Sequence, residues 1–468
     1  MSNNTILIKN YKKIYDNIHG YITISNIACK IIDSYEFQRL RYMRQLSTCY
    51  FVFPNASHSR FEHSIGTYHL ADKMLQAIIT NSDKKYVDDI LYNIDELKYY
   101  TNNFDKSQNN RILDDYICEL VKIAALCHDV GHGPFSHTFD DIFIPNISKK
   151  QNLGDFIHHE NRSKAILEHI IKSNKELFEY IKIEGINFIK SLIDPSDKKQ
   201  FIYQIVSNNI NGIDVDKFDY LGRDTYNLGL KYGLNCNKLI DDIVIINDMI
   251  CYPEQMYNEV ISIFHTRYRL FKEVYKHKIC IVTQIIIGEI MLLIDDITNI
   301  SGSITNVQKF CEFTDDHIIF LVKHLYGNIQ NYSKENQIII IKAYDLLNKI
   351  FTRDLYKHID TIVSPIKLPI DCNFVNGIDN NINIDDIYIH SAKIGYVSGK
   401  KANPIDNLYF YNKHNILANK ILKYQKSILL PDRYQEYIFM FYLKNKNNKD
   451  LLDKVKNVID IIKIQFNI

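Results

Sequence analysis

Apolar residues three and four positions apart run through most of the chain, the repeat of helices that bury one face. The repeat predicts a helix over 24–46, carried by Ile24, Ile27, Ile31, Ile32, Phe37, Leu40 and Met43. A second helix opens within 57–64 and runs to about Thr80. A third spans Ile112, Leu113, Tyr116, Ile117, Leu120, Val121, Ala124 and Ala125. Further helices are predicted from His159 to about Tyr180, over 201–228, and from Phe264 through Lys278 into the apolar 279–294, with helical spacing continuing to about Val363. Elsewhere the pattern breaks. Residues 7–20 read as a short strand or turn, 49–53 as an aromatic β-like run closed by Pro54, and 141–160 as a loop or short helices. The stretch 81–110, rich in Asn, Asp and Lys, reads as a polar surface insertion.

Pro365, Pro369 and the Asn/Asp-rich 371–386 mark a linker. Beyond it, 387–389 and 408–411 read as strands, and 416–428, 432–443 and 449–465 as helices. The prediction is a mainly α protein, with a helical core over 1–370 and a small C-terminal α+β lobe over 387–468.

Composition narrows the function classes. Fifty-six basic against 55 acidic residues argue against a surface built for nucleic acid, which stays an unsupported partner. No apolar run reaches the roughly 18 residues of a membrane span, so no membrane partner is expected. The first residues carry no signal-peptide pattern. Nine scattered cysteines without CxxC spacing suggest reduced thiols in an intracellular, cytoplasm-like compartment. Abundant Ile, Asn, Lys and Tyr with no Trp suggests A+T-rich coding, as in some intracellular parasites or large DNA viruses.

The chemistry centres on His128-Asp129, which arrives at the end of the buried 112–125 helix just before Gly131, Gly133 and Pro134. A buried charge needs a partner or a metal, and a divalent cation satisfies imidazole and carboxylate together. Asp216, Tyr220 and Asp224 share one helix face at i, i+4 and i+8. Arg267, Phe271 and Tyr275 repeat that spacing on a later helix.

These motifs resemble the HD-domain phosphohydrolases, and more narrowly the HD-domain deoxynucleoside triphosphate triphosphohydrolases. The likeness lies in Phe37-Gln38-Arg39-Leu40-Arg41-Tyr42, 50–63, 127–140, 205–220, 264–267 and Asn403-Pro404-Ile405-Asp406. It covers nearly the whole chain, although the sterile-alpha-motif portion of some members has no counterpart. The resemblance implies a helical HD-domain core with four metal ligands, His63, His128, Asp129 and Asp216. They would hold a divalent cation (Fe, Mn, Zn or Mg), with Mg on the triphosphate. It implies a proton-handling group of His137, Asp140 and His159. Arg60, Lys217 and Arg267 would hold the phosphates. Gln45, Leu46, Tyr220 and Asp224 would line the sugar, with Tyr275 where a 2′-hydroxyl would stand.

The resemblance also implies a GTP or dGTP activator at Lys12, Asp33, Gln38 and Arg41, and a homo-oligomer, dimer or tetramer. The chain departs from the family at a second activator position, where Tyr15, Asn235, Glu259 and Pro253 stand. The expected reaction is conversion of a dNTP to deoxynucleoside and inorganic triphosphate. Two other readings compete with it. One is a phosphohydrolase acting on nucleoside monophosphates or phosphodiesters. The other is a non-catalytic protein that binds nucleotides or single-stranded nucleic acid.

Overall fold

The structure is a computed structural model that describes residues 12–102, 104, 110–232, 236–396, 403–412, 415–420 and 433–468. It is mainly helical, as the spacing predicts. The chain enters through an antiparallel hairpin, β1 (Lys12–Asp16) and β2 (Gly20–Ile24). The long helices are α1 (Arg60–Asn81), α2 (Asp115–Cys127), α3 (His159–Ser173), α4 (Lys175–Ile193) and α5 (Val215–Asn227). They continue as α6 (Tyr257–Leu270), α7 (Lys278–Thr298), α8 (Asp315–Gly327) and α9 (Lys334–Phe351). Helices α1 and α2 pack together at the centre, with α4 and α5 against them. Their apolar faces join one continuous core.

Local chemistry sets where the central helices start. Asp114 caps α2 by accepting from the N–H groups of Tyr116 and Ile117, both at 3.0 Å. A Ser59–Glu62 capping box opens α1. Asp214 caps α5 by accepting from Lys217 N at 3.0 Å. These starts place Arg60, His63, Asp216 and Lys217 in first turns.

The C-terminal part carries a three-stranded antiparallel sheet. The strand β3 (Gln435–Leu443) lies between β4 (Lys357–Ser364) and β5 (Ile387–Gly395). Helix α10 (Lys449–Phe466) covers it through Val455, Val458, Ile459 and Ile462. A second sheet pairs Val244–Ile246, Met249–Pro253, Tyr409–Asn412 and Asn415–Lys420 in that order.

Several expected elements differ. The 24–46 helix is two short ones, Asn26–Ile32 and Tyr35–Gln38, because Ser25 and Ser34 each cap a fresh start. Residues 49–51 form a 3-10 turn rather than a strand, since Val52 N and Phe53 N bond back to Cys49 O. The 81–110 stretch contains helix Lys84–Tyr92, anchored by buried Val87 and Leu91. The 201–228 helix begins only at Val215, after Gly212 at φ 71° and the Asp214 cap. The 264–294 helix is interrupted by a π-turn at Phe271–Tyr275 and restarts on the His277 cap.

In the C-terminal part, 357–364 is strand and not helix, and 372–378 is a short helix within the stretch read as a linker. The expected 432–443 helix is the central strand β3, whose run of apolar residues is buried on both faces. Such a run reads equally well as helix. Of the expected 416–428 helix, 415–420 is strand, and the rest lies outside the described residues. The 449–465 helix stands as expected.

Gly131 is fixed by close approach of another backbone segment. A Cβ on Gly131 would sit 2.2 Å from Ser163 N and 2.4 Å from His159 O, both backbone. Gly131→Ala is expected to lower the unfolding free energy by roughly 1–3 kcal/mol, the scale of overpacking. Gly327→Ala, whose Cβ meets nothing within 4 Å at the end of a helix, is the control and keeps or slightly raises the denaturation midpoint.

Candidate active site

Four elements meet at the site. His63 projects from the first turn of α1, and His128 and Asp129 follow the C-terminus of α2. His159 is the first residue of α3, and Asp216 lies in the first turn of α5. Three helix N-termini therefore surround it, an arrangement that favours anions.

The Nε2 atoms of His63 and His128 are buried and have no hydrogen-bond partner. They stand 3.2 and 3.5 Å from Asp216 Oδ1. Asp129 serves both, with Oδ1 3.4 Å from His128 Nε2 and Oδ2 3.6 Å from His63 Nε2. The Nδ1 atoms are engaged elsewhere, His63 with Asp219 Oδ2 and His128 with Ala125 O, each at 2.8 Å. An imidazole that donates from Nδ1 presents its Nε2 lone pair. Two such nitrogens with two carboxylates form a donor set for a divalent cation, so these residues fit a metal.

A second group adjoins the first. Asp129, His132 and His159 also bring ligand-type atoms within 4.8 Å of one another. His132 stacks on His159 with ring centroids 4.0 Å apart. Its Nε2 lies 3.4 Å from Asp129 Oδ1 and its Nδ1 lies 3.3 Å from Asp140 Oδ2. Asp140 Oδ2 is 3.6 Å from His159 Nδ1, while Arg162 grips Oδ1. His137, exposed, sets its ring 5.3 Å from that of His132.

Burial alone would push Asp129 and Asp140 up. His128 and Arg60 hold Asp129 well below the carboxylate range, and Arg162 with the neighbouring histidines holds Asp140 down. Burial pushes His159 down to about 4, and His132 adds to it. His63 is lifted to about 10, because Asp216 and Asp219 outweigh its burial.

The loop carrying these groups is clamped through its backbone. Buried Arg39 donates to Val130 O at 2.9 Å and to His132 O at 2.8 Å. Arg162 Nε donates to Gly131 O at 2.8 Å, and Ser163 Oγ bridges His128 O and Gly131 N. Phe135 and Ser136 then take φ of 59° and 52°, a strained pair. Ser136 Oγ accepts from Arg60 Nε at 2.8 Å and donates to Arg44 O.

The expected phosphate-binding cations all carry protein partners. Arg60 pairs with Asp129, Lys217 donates to Gly212 O, and Arg267 donates to Gly395 O with its guanidinium 4.0 Å over the Phe271 ring. Asp224 Oδ1 is held by His58 Nε2 at 2.7 Å and Oδ2 accepts from the Tyr275 hydroxyl. Gln45 and Leu46 are buried, and Gln45 Oε1 has no hydrogen-bond partner. Tyr220, on the face shared with Asp216 and Asp224, is half-buried.

The expected activator residues fall into two pairs. Lys12 Nζ lies 3.8 Å from Asp33 Oδ1, and Arg41 Nε donates to Gln38 Oε1 at 2.8 Å. Gln38 Nε2 donates to Ile32 O, next to Asp33. Of the second activator position, Asn235 lies outside the described residues.

The HD-domain family model matches residues 112–224. The HD domain-containing protein L394 of Acanthamoeba polyphaga mimivirus is 40% identical, over 86% of each chain. The deoxynucleoside triphosphate triphosphohydrolase SAMHD1 homolog of Dictyostelium discoideum is 33% identical over 94% of this chain and 78% of its own. The deoxynucleoside triphosphate triphosphohydrolase SAMHD1 of Gallus gallus is 33% identical over 93% of this chain and 72% of its own. The chain belongs to the HD-domain deoxynucleoside triphosphate triphosphohydrolase family.

An HD domain implies a bound divalent metal, and the His63, His128 and Asp216 cluster with Asp129 suits one in this family member. The matched span holds His128 to Asp216, whereas the fold brings in His63, Arg60, Arg267 and Tyr275 from outside it. Sequence reasoning passed over three residues at the site. His132 stands four residues after His128 within the same short run, and that closeness is the available signal. Asp219 holds His63 and Arg162 holds Asp140 from behind, and both look in sequence like ordinary helix charges.

His128→Ala and Asp216→Ala are each expected to cut bound metal to a small fraction of that in the unaltered chain. Helical circular dichroism should be largely kept, because α1, α2 and α5 retain their apolar faces. Elemental analysis of both purified variants checks this, and full metal content in both would count against the assignment.

Proposed function

We propose that this chain hydrolyses deoxynucleoside triphosphates at the α-phosphorus, releasing deoxynucleoside and inorganic triphosphate. The observation that carries the reading is the pair of orphaned Nε2 atoms of His63 and His128 facing Asp216 and Asp129, with the His132–Asp140–His159 group directly beside them. His63, His128, Asp129 and Asp216 would hold the cation, Fe, Mn, Zn or Mg, with Mg accompanying the triphosphate. When bound, the cation supplies an activated water and charge neutralisation.

The chain's own residues do the rest. Arg60, Lys217 and Arg267 exchange their protein partners for phosphate oxygens. His137, Asp140 and His159, with His132 beside them, handle the proton that the leaving 5′-oxygen needs. Tyr220 and Asp224 face the sugar with Gln45 and Leu46. Tyr275, tied to Asp224 through its hydroxyl, fills the space of a 2′-hydroxyl. Nine free thiols and the mimivirus relative support an intracellular, virus-encoded reading.

The deciding assay incubates the metal-loaded protein with each of the four deoxynucleotides and with ATP, then resolves the products. Deoxynucleoside plus triphosphate is expected, with ATP turned over more slowly by about 10- to 200-fold, the scale of one misfitted group. Release of pyrophosphate or single phosphate would sink the reading.

Regulation belongs to the same proposal. GTP binds at Lys12, Asp33, Gln38 and Arg41, where Asp33 accepts from the guanine edge and the cations meet the phosphates, and the protein acts as a homo-oligomer. A coupling of about 1–3 kcal/mol would raise activity roughly 5- to 150-fold. The check is dTTP hydrolysis with and without GTP, alongside calorimetry. Equal rates with no GTP binding would remove regulation and leave catalysis standing.

A further inference from the structure

Asp219 lies outside the metal-facing group, yet its carboxylate is fully buried and accepts four hydrogen bonds. Oδ2 accepts from His63 Nδ1 and from Arg223 Nε, both at 2.8 Å. Oδ1 accepts from His19 Nε2 at 2.7 Å and from Arg223 Nη2 at 2.9 Å. Burial alone would push this carboxyl up, but Arg223 and the two histidines hold it well below the usual range.

The network reaches the chain's first described element. Arg223 Nη1 donates to Asp16 Oδ2 at 2.8 Å. Asp16 Oδ1 accepts the N–H groups of Ile18 and His19 at 2.8 and 2.9 Å, closing the turn between β1 and β2. Space around Asp219 is fully used: a Cβ on Gly66 would lie 1.9 Å from Oδ1.

We infer that Asp219 is a positioning residue for His63, and that His19 in the β1–β2 turn in turn fixes Asp219, so that the N-terminal hairpin is a working part of the metal centre. The inference rests on His63 being a metal ligand. A carboxylate that accepts from Nδ1 fixes the tautomer, leaves Nε2 as the lone-pair donor and raises its basicity. An amide in its place offers an N–H as readily as an oxygen, so His63 no longer holds a single tautomer. His19 adds the bond that prevents the Oδ1 end of the carboxylate from turning away.

The test uses the full chain stripped of metal by a chelator and titrated with Mn(II), with thermal unfolding of the metal-free proteins measured in parallel. Asp219→Asn is expected to bind Mn(II) about 10- to 100-fold more weakly, the usual loss for such a partner. His19→Ala should weaken binding in the same direction. His19→Gln, whose amide N–H can still donate to Oδ1, should restore most of it. His63→Ala is the reference and should lose tight binding.

Unchanged Mn(II) affinity in Asp219→Asn and His19→Ala, with loss in His63→Ala, would overturn the positioning role alone. Unchanged affinity in all of them would overturn the ligand assignment of His63 and this inference with it. If Asp219→Asn fails to fold, the His19 pair decides. Weak binding in His19→Ala with recovery in His19→Gln supports the inference, and equal weakness in both assigns His19 a structural role only and overturns it.

Discussion

The active site depends on two buried imidazoles being held with their Nε2 atoms against carboxylates. Burying either charge alone costs several kcal/mol, so each group at the centre is balanced by another. His63 is fixed from behind by Asp219 and His128 by the last turn of its own helix. Asp129 is shared among His63, His128, His132 and Arg60. The helices around the site carry this balance, because α1, α3 and α5 all turn their N-termini toward it.

The loop after α2 faces a different problem. It must leave a buried helix, present Asp129 and His132, and reverse direction within a few residues. Its carbonyls are out of reach of helical partners, and an unsatisfied buried carbonyl is expensive. Two buried arginines solve this by donating to main chain rather than to carboxylates alone, Arg39 from the N-terminal region and Arg162 from α3. Gly131 allows α3 to approach closely enough for Arg162 and Ser163 to reach. The same arginine that holds the loop also orients Asp140, so the loop backbone and the His132–Asp140–His159 group are set by one side chain.

What the sequence made legible follows from how local the signals are. His128-Asp129 at the end of an apolar helix is a conflict visible within a few residues, and only a partner or a cation resolves it. The face shared by Asp216, Tyr220 and Asp224 is equally local, and α5 displays it. Asp219 escaped because His63 and His19 reach it from distant parts of the chain, while Arg223, four residues on, looks like an ordinary i,i+4 pair. Arg39 escaped because its targets are carbonyls, which carry no sequence signature. Elements failed where the pattern was ambiguous, as in the both-sides-buried β3, or where a polar cap interrupted an apolar run, as at Ser34, Asp214 and His277. The hairpin of Val244–Ile246 and Met249–Pro253 had too few residues for a period to register.

The cations show how positive charge can be kept buried at the site without destabilising the fold. Arg60, Lys217 and Arg267 are nearly buried, and a buried cation without a partner would destabilise the fold. All three have partners: the Asp129 carboxylate for Arg60, the Gly212 carbonyl for Lys217, and the Gly395 carbonyl and the Phe271 ring among those of Arg267. A carbonyl is the weaker partner, because it satisfies a donor without neutralising its charge. The Gly212 carbonyl therefore satisfies a Lys217 donor and leaves its charge in place. Burial, with Arg267 nearby, lowers the Lys217 ammonium against the pull of Asp214, so an incoming anion gains more there than it would at a solvated lysine. Arg60 differs, since its partner Asp129 also faces both imidazole nitrogens. A divalent cation held by Asp129 would compete for the oxygen that holds Arg60, and so would couple occupancy of the metal-facing group to the position of that side chain.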